Sequence, residues 1–361
     1  MYTINNQLYR IALYPCNKNN KRVKEERNMK KFVVVFCCIA LLFSVAAVSF
    51  ASGKKDDAAA AGAAKPTAVE GQIFKIGYSC ISWTIPWMVF YKDLFEKEIA
   101  KYPQYEVIWH DAGFDFEVMA DGLENFIDQD VDMIMHFALD SLPMIETYKK
   151  IVDAGIPLIL TMDPPDYKAY DYMTSFSGLD TRDAGRQCAL LLQNELGGKG
   201  NIALITAPKG SSSELQYTAG FKNELTRLNT GMKIVAEQPG DWDIAVAQQV
   251  ASDILTKYPK IDGFYVSDDW MGAGLVRALK EKGYKPGQVK IAAAGGSKGG
   301  IQDFKDGWYL GIVDQGPELC VYQDILFMKA YLEMGERLPH FAMVRQELIN
   351  ETNIDRFPGT W

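Results

Sequence analysis

The chain has 361 residues, 48% of them hydrophobic and 23% charged, with a formal net charge of −8. That composition excludes a disordered chain and a multi-span membrane protein, and the length favours two lobes over one small domain. Residues 1–52 hold eight Lys/Arg against two Asp/Glu, so without them −8 becomes −14; so acidic a body makes a poor nucleic-acid binder.

The first element is "KKFVVVFCCIALLFSVAAVSFAS" at 30–52: two lysines, an apolar run, then small residues. Residues 29–51 read as a secretory signal peptide, with Ser49 and Ala51 suiting the positions before cleavage after Ala51. The apolar run from Phe32 to Ala51 is nearly long enough to span a bilayer, so an uncleaved anchor is the alternative. Cys37 and Cys38 sit early in that run with no small residues before them, which argues against a lipid anchor. Residues 1–28, polar, basic and ahead of a second methionine, read as a gene-model extension upstream of a true start at Met29. Residues 52–72, dominated by "GKKDDAAAAGAAKPTAVE", read as a low-complexity linker. Three cysteines follow, Cys80, Cys188 and Cys320, an odd and sparse set that does not make a disulfide framework.

From Ile73 onward short β-rich runs alternate with amphipathic stretches. The strand candidates are "IFKIGYS", "YEVIWHDA", "VDMIMHF", "PLILTMD", "YMTSF", "GNIALITA", "KIVAEQP", "GFYVSD", "VKIAAAG" and "LGIVDQ". Helices are predicted over Trp87–Lys101, Phe116–Ile127, Asp183–Leu196, Glu214–Leu228 and Asp243–Lys257. Such alternation predicts parallel sheets covered by helices on both faces. About five βα units precede a second set beginning near Gly178, so two doubly wound lobes are expected.

In such sheets ligands sit beyond the carboxyl ends of the strands. The residues there are Ser79, Ser82, Trp83, Trp87, Asp111, His136, Asp140 and Asp163 in the first set. In the second they are Lys209, Ser211–Ser213, Asp241, Trp242, Asp268, Asp269, Trp270, Gly295, Gly296, Asp314 and Gln315. Hydroxyls, carboxylates, an amide and indoles suit binding better than catalysis. No Gly-x-Ser-x-Gly elbow is present, the chain has three histidines, and no His/Cys cluster has metal spacing. Neither metal nor cofactor is expected. "GGSKGG" at 295–300 matches neither phosphate-loop spacing and reads as a turn.

The order of "KIGYS", "GIPLILTMD", "LGGKGNIALI", "AGF" at Ala219–Phe221, "QPGDWD", "PKIDGFYVSDDWMGAGLVRALKEKG" and "DGWYLGIVDQGP" is distinctive. From about Phe74 to the C-terminus the chain resembles the type I periplasmic sugar-binding proteins, the ribose-binding group in particular. The resemblance implies two α/β lobes joined by three hinge strands and built from non-contiguous chain. It puts residues 73–178 with 316–342 in one lobe and 179–315 with 343–361 in the other. It further implies a monomer that traps a ligand between the lobes and hands it to ABC transporter permease subunits, without catalysis. A regulator with the same core would need a helix-turn-helix head where the signal peptide lies. A membrane-anchored sensor domain would keep that segment.

Carried residue by residue, the resemblance gives a mixed set. The first loop's stacking pair becomes Trp87 and Met88, with Trp83 a replacement in a loop two residues longer. The fourth strand keeps its acceptor as Asp163 but has Pro164 where the family has arginine. A second family arginine falls near Leu215 and is absent, and the aspartate after the ninth strand falls at Gly295 or Gly296. The aromatic after "QP" is Trp242, the family asparagine is Asp268, and the hinge glutamine is Gln315. Losing both guanidiniums removes the bidentate forks that grip neighbouring hydroxyls, so a neutral sugar bulkier than a small pentose, such as a hexose, a deoxy sugar or a glycoside, is expected in place of ribose. A non-sugar polyol such as an inositol, a nucleoside or a furanosyl signal molecule is the alternative.

Each candidate has a plainer role beside its binding role. Asp163 before two prolines also suits a turn, and Trp87 and Trp242 also suit core packing. Asp269 is assigned the helix cap and Asp268 the cleft, since Asp is a preferred cap residue. Trp270 faces either cleft or solvent. His136 is either a hydrogen-bonded strand-end histidine or a ligand contact, and His110 reads as structural.

Overall fold

A computed structural model describes residues 71–361. The signal segment at 29–51, the extension before it and the linker up to residue 70 lie outside the described residues.

The first sheet takes its strands from β1 (Phe74–Cys80), β2 (Tyr105–Asp111), β3 (Met133–Phe137), β4 (Leu158–Met162), β5 (Ser175–Leu179) and β11 (Phe341–Val344), in the order β11-β5-β4-β3-β1-β2. All its pairings are parallel. The second sheet uses β6 (Lys199–Thr206), β7 (Gly231–Pro239), β8 (Gly263–Val266), β9 (Lys290–Gly295), β10 (Tyr309–Asp314) and β12 (Leu348–Ile349), in the order β12-β10-β9-β8-β6-β7. It repeats the topology of the first, except that β12 runs antiparallel to β10.

Parallel strands covered on both faces should read as continuous apolar runs, and the central ones do: β3, β4, β5 and β8 are buried at every position. The second sheet shows the period of two directly. Ala203, Ile205, Phe264 and Val266 enter one apolar cluster, while Ile202, Leu204 and Tyr265 enter the cluster on the opposite face. The edge strands β2 and β7 are only partly buried.

The helices are α1 (Pro86–Ile99), α2 (Phe116–Asp128), α3 (Ile145–Asp153), α4 (Thr181–Glu195), α5 (Ser212–Arg227), α6 (Ile244–Lys257), α7 (Asp269–Glu281), α8 (Lys298–Lys305) and α9 (Pro317–Met328). Most start on a side chain that accepts from free amides of the first turn: Asp115, Asp180, Ser211, Asp243, Asp268 and Ser297. Proline opens α1 and α9, where its missing N–H costs nothing.

The chain crosses between the sheets after β5, after β10 and between β11 and β12. Leu179 still belongs to the first sheet, and so does all of β11 through Val344, so the expected boundaries at 178 and 342 fall inside strands. Neither β11 nor β12 was among the strand candidates. "FAMV" and "LI" are too short to carry a periodic signal. Cys80, Cys188 and Cys320 are free and buried, and among the described residues no helix is long and apolar enough to cross a membrane.

Candidate functional site

Both sheets present the carboxyl ends of their strands to a shared cleft enclosing about 510 Å³ of empty space, part of it open to solvent. The first lobe lines it with Trp87 and Met88 from α1, Phe137 and Leu139 after β3, and Met162 and Asp163 after β4. The second lobe contributes Ser213 and Tyr217 from α5, Trp242 after β7, Asp268 after β8 and Gln315 after β10. Ile85 and Leu179 complete the walls, and no lysine or arginine lies among them.

Three residues of this lining carry backbone strain. Leu139, Met162 and Trp242 all hold left-handed backbone conformations, at φ of 53°, 70° and 55°. Such conformations cost a non-glycine residue roughly 1–3 kcal/mol and persist where surrounding structure over-determines them. At Met162 the neighbour is Gly178 of β5: a Cβ there would drive into the Met162 carbonyl, so only glycine lets the two strand ends approach. The result turns Asp163 out of the sheet and into the cleft.

Asp163 is half-buried and accepts a hydrogen bond from Ser213 Oγ of the opposite lobe. Burial pushes its carboxyl up to about 6, the Ser213 hydrogen bond working against that shift. Asp268 is nearly buried, and burial pushes it further, to about 8; the Met271 amide holds it down and the neighbouring Asp269 adds to the rise. Gln315 Nε2 donates to Tyr217 Oη at 2.9 Å, which leaves the carbonyl of the amide available to a ligand. Trp87 stacks on Tyr91 with ring centroids 5.6 Å apart, and its buried Nε1–H has no acceptor.

The cleft therefore gathers Trp87, Met88, Asp163, Trp242, Asp268 and Gln315 from the expected set. It leaves out Trp83, Trp270 and His136. Trp83 turns into the first lobe: its Nε1–H donates to the His110 carbonyl at 2.8 Å, and its ring meets Tyr78 and Trp109 edge-on. The loop thus carries the indole back over β2 rather than forward over the cleft. Trp270 is the second residue of α7. Successive helical side chains rotate by about 100°, so it points away from the side that Asp268 faces. His136 lies on β3 one residue before Phe137, and alternation sends it behind the cleft wall.

The assigned division of labour between the paired aspartates is also corrected. Asp268, not Asp269, caps α7, its Oδ1 accepting from Met271 N at 2.8 Å while the residue still lines the cleft. Asp269 accepts instead from Gly296 N at 2.8 Å and Ser297 N at 2.9 Å. The glycine loop after β9 is thus a turn folded around a carboxylate of the same chain. Gly295 and Gly300 leave no room for a Cβ beside Asp269.

Sequence reading missed Tyr217 and carried Ser213 no further than the strand-end set. They lie four residues apart on α5, hence on one face, and that spacing was the available signal. The apolar walls Phe137, Leu139 and Met162 carried none, since buried strand-end residues look alike wherever they point. Among the described residues no group of three or more His, Cys, Asp or Glu is placed to hold a metal ion.

The sequence profile of the periplasmic binding protein domain matches residues 76–337. The chain belongs to that family. It is a family of binding proteins rather than enzymes, and similar proteins bear it out. The chain is 30% identical over 196 residues to a D-ribose/D-allose-binding protein of Pseudomonas aeruginosa, across 54% of this chain and 60% of the relative. It is 30% identical over 219 residues to a xylitol-binding protein of Mycolicibacterium smegmatis, across 59% of each. The matched stretch thus spans about 60% of these relatives' lengths. A Mycobacterium smegmatis structure in complex with β-D-fucofuranose superposes with a TM-score of 0.71 at 25% identity, covering 78% of this chain and 93% of that one. An ABC transporter solute binding protein of Bacillus halodurans with bound myo-inositol shares the fold, with a TM-score of 0.75 at 23% identity over 81% and 100% of the two chains.

Proposed function

We propose that this periplasmic binding protein captures a small, uncharged sugar or polyol by closing its two lobes over it, and presents the closed complex to the permease of an ABC importer. The observation that carries the reading is the lining: each lobe offers a carboxyl and an indole, Asp163 with Trp87 and Asp268 with Trp242, and no cation joins them. Indoles cover the C–H faces of a ring. Carboxyls held near neutrality meet its hydroxyls as either donor or acceptor. An anionic ligand would find no counter-charge. A charge-assisted hydrogen bond contributes roughly 1.5–3 kcal/mol, and about −8 kcal/mol corresponds to micromolar affinity. Three such bonds with stacking on two indoles are therefore sufficient after the costs of closure and ordering. The contacts come from both lobes, as they must, because a ligand drives closure only by its differential affinity for the closed state.

The names of the relatives, which bind ribose, allose and xylitol, support the ligand class. On this reading residues 29–51 export the chain, which works as a monomer outside the cytoplasmic membrane. A thermal-shift screen of sugars and polyols on the exported form tests the ligand class. A neutral sugar or polyol is expected to raise the melting temperature, and Asp163→Ala or Trp242→Ala to abolish the shift. A clear hit from an amino acid or a nucleoside, with none from sugars or polyols, would sink the assignment.

A further inference from the structure

Behind the cleft, a second pocket with room for about one water-sized group reaches into the first lobe. It shares Phe137, Leu139 and Asp163 with the cleft, and its inner wall holds His136 and Tyr148. Both inner residues are fully buried. His136 Nδ1 lies 3.2 Å from the Ser79 carbonyl, which only accepts, so Nδ1 carries the proton and donates. Burial drives the ring's pKa down to about 3 and keeps it neutral, despite the Ser79 bond. Nε2 is consequently a bare acceptor, and it has no partner. Tyr148, whose ring meets the imidazole edge-on with centroids 5.8 Å apart, has a hydroxyl that is likewise without a partner.

Two unsatisfied polar groups on one buried wall are unusual, because each costs about 1–3 kcal/mol when left unmade. Together they specify what would satisfy them. The incoming group must donate to His136 Nε2 and can accept from the Tyr148 hydroxyl. An alcohol does both; an ammonium cannot accept, and a carboxylate cannot donate. The space admits one hydroxyl-sized group at the tip of an arm and excludes a second ring.

We propose that this inner pocket is a subsite for the hydroxymethyl arm of a sugar whose ring lies in the cleft, the arm passing beside Asp163 to reach His136 and Tyr148. The inference rests on the sugar-or-polyol reading above and narrows it to ligands that carry such an arm.

Titration calorimetry on the wild-type protein tests it with D-glucose, D-galactose, D-allose and D-mannose, each against its 6-deoxy counterpart. A hexose that binds is expected to bind about tenfold tighter than its 6-deoxy partner, the effect of one buried hydrogen-bonded hydroxyl. Tyr148→Phe, which keeps the packing, and His136→Leu should each narrow that gap to about threefold or less, leaving the 6-deoxy sugar's affinity unchanged. Equal affinity for both members of a bound pair, or a gap that survives both variants, would overturn the subsite and leave the two polar groups to an ordered water. Binding of myo-inositol, which has ring hydroxyls and no such arm, with none of the hexoses would overturn the subsite alone. Binding of no sugar or polyol at all would overturn the functional reading with it.

Discussion

Asp163 of the first lobe accepts a hydrogen bond from Ser213 Oγ of the second, across the mouth of the cleft. Beside it, Ser212 N donates to the Leu139 carbonyl at 2.8 Å, so α5 is tied by two bonds to the loops after β3 and β4. These bonds join the two lobes, and separation of the lobes would break them. Removing one lowers the closed population and with it the apparent affinity for any ligand that needs closure. Ser213→Ala should therefore weaken ligand binding roughly fivefold, the equivalent of about 1 kcal/mol. Titration calorimetry measures the affinity, and small-angle scattering should find the unliganded variant more extended than the wild type. An unchanged dissociation constant and radius would mean that the pair plays no part in closure.

The buried carboxyls give the protein an unusual pH response. Asp163 and Asp269 are raised to about 6, Asp314 and Asp324 to about 7 and Asp268 to about 8, burial being the largest cause in each. A carboxyl raised in the fold binds a proton there that the unfolded chain, at about 4, has released. Stability therefore falls as pH rises from about 4 through each folded value. Scanning fluorimetry between about pH 5 and 8 should show the melting temperature climbing on acidification. Asp268→Asn keeps the cap on α7, since Asn serves as well there, and should flatten the upper end of that profile. A melting temperature that falls on acidification across this window would contradict the burial argument.

The architecture was legible because it rests on local signals: apolar runs of strand length, capping residues at helix starts and the alternation of the two. Side-chain direction at the strand ends was not, because it depends on backbone conformations that sequence does not announce. Met162 and Trp242 take left-handed φ values despite being poor candidates for them, and those turns aim Asp163 and Trp242. Trp83 and Trp87 look equivalent in sequence, yet one faces β2 and the other the cleft. Asp268 and Asp269 invited a split between cap and ligand acceptor. The cap needs only one oxygen, so Asp268 takes both positions and frees Asp269 for the neighbouring loop.

Trp83 offers a test of that distinction. Its indole bonds the His110 carbonyl and packs against Tyr78 and Trp109, while the cleft lining omits it. Trp83→Phe loses the buried hydrogen bond and part of the ring contact, a cost of about 1–3 kcal/mol. A melting temperature several degrees lower is expected, with ligand affinity unchanged within about twofold. Trp242→Phe should behave in the opposite way, weakening binding with little effect on melting. Reversal of the two outcomes would return Trp83 to the binding surface.

Asp269 and Gly300 make a tightly packed pair in the second lobe. Asp269 reaches from the first turn of α7 to the amides of Gly296 and Ser297, and the Gly300 position in α8 lies hard against its carboxylate. Alanine normally favours a helix over glycine by about 1 kcal/mol. Here the added methyl would collide with a carboxylate held on two sides, and overpacking of this kind costs about 1–3 kcal/mol. Gly300→Ala should therefore destabilise the protein by about 2 kcal/mol in chemical denaturation. Asp269→Ala alone is also destabilising, because it orphans two buried amides, but it removes the obstacle. In that background Gly300→Ala should be neutral or stabilising, so the two substitutions should couple by at least about 1 kcal/mol. Simple additivity of the two would show that the glycine is there for some reason other than making room for Asp269.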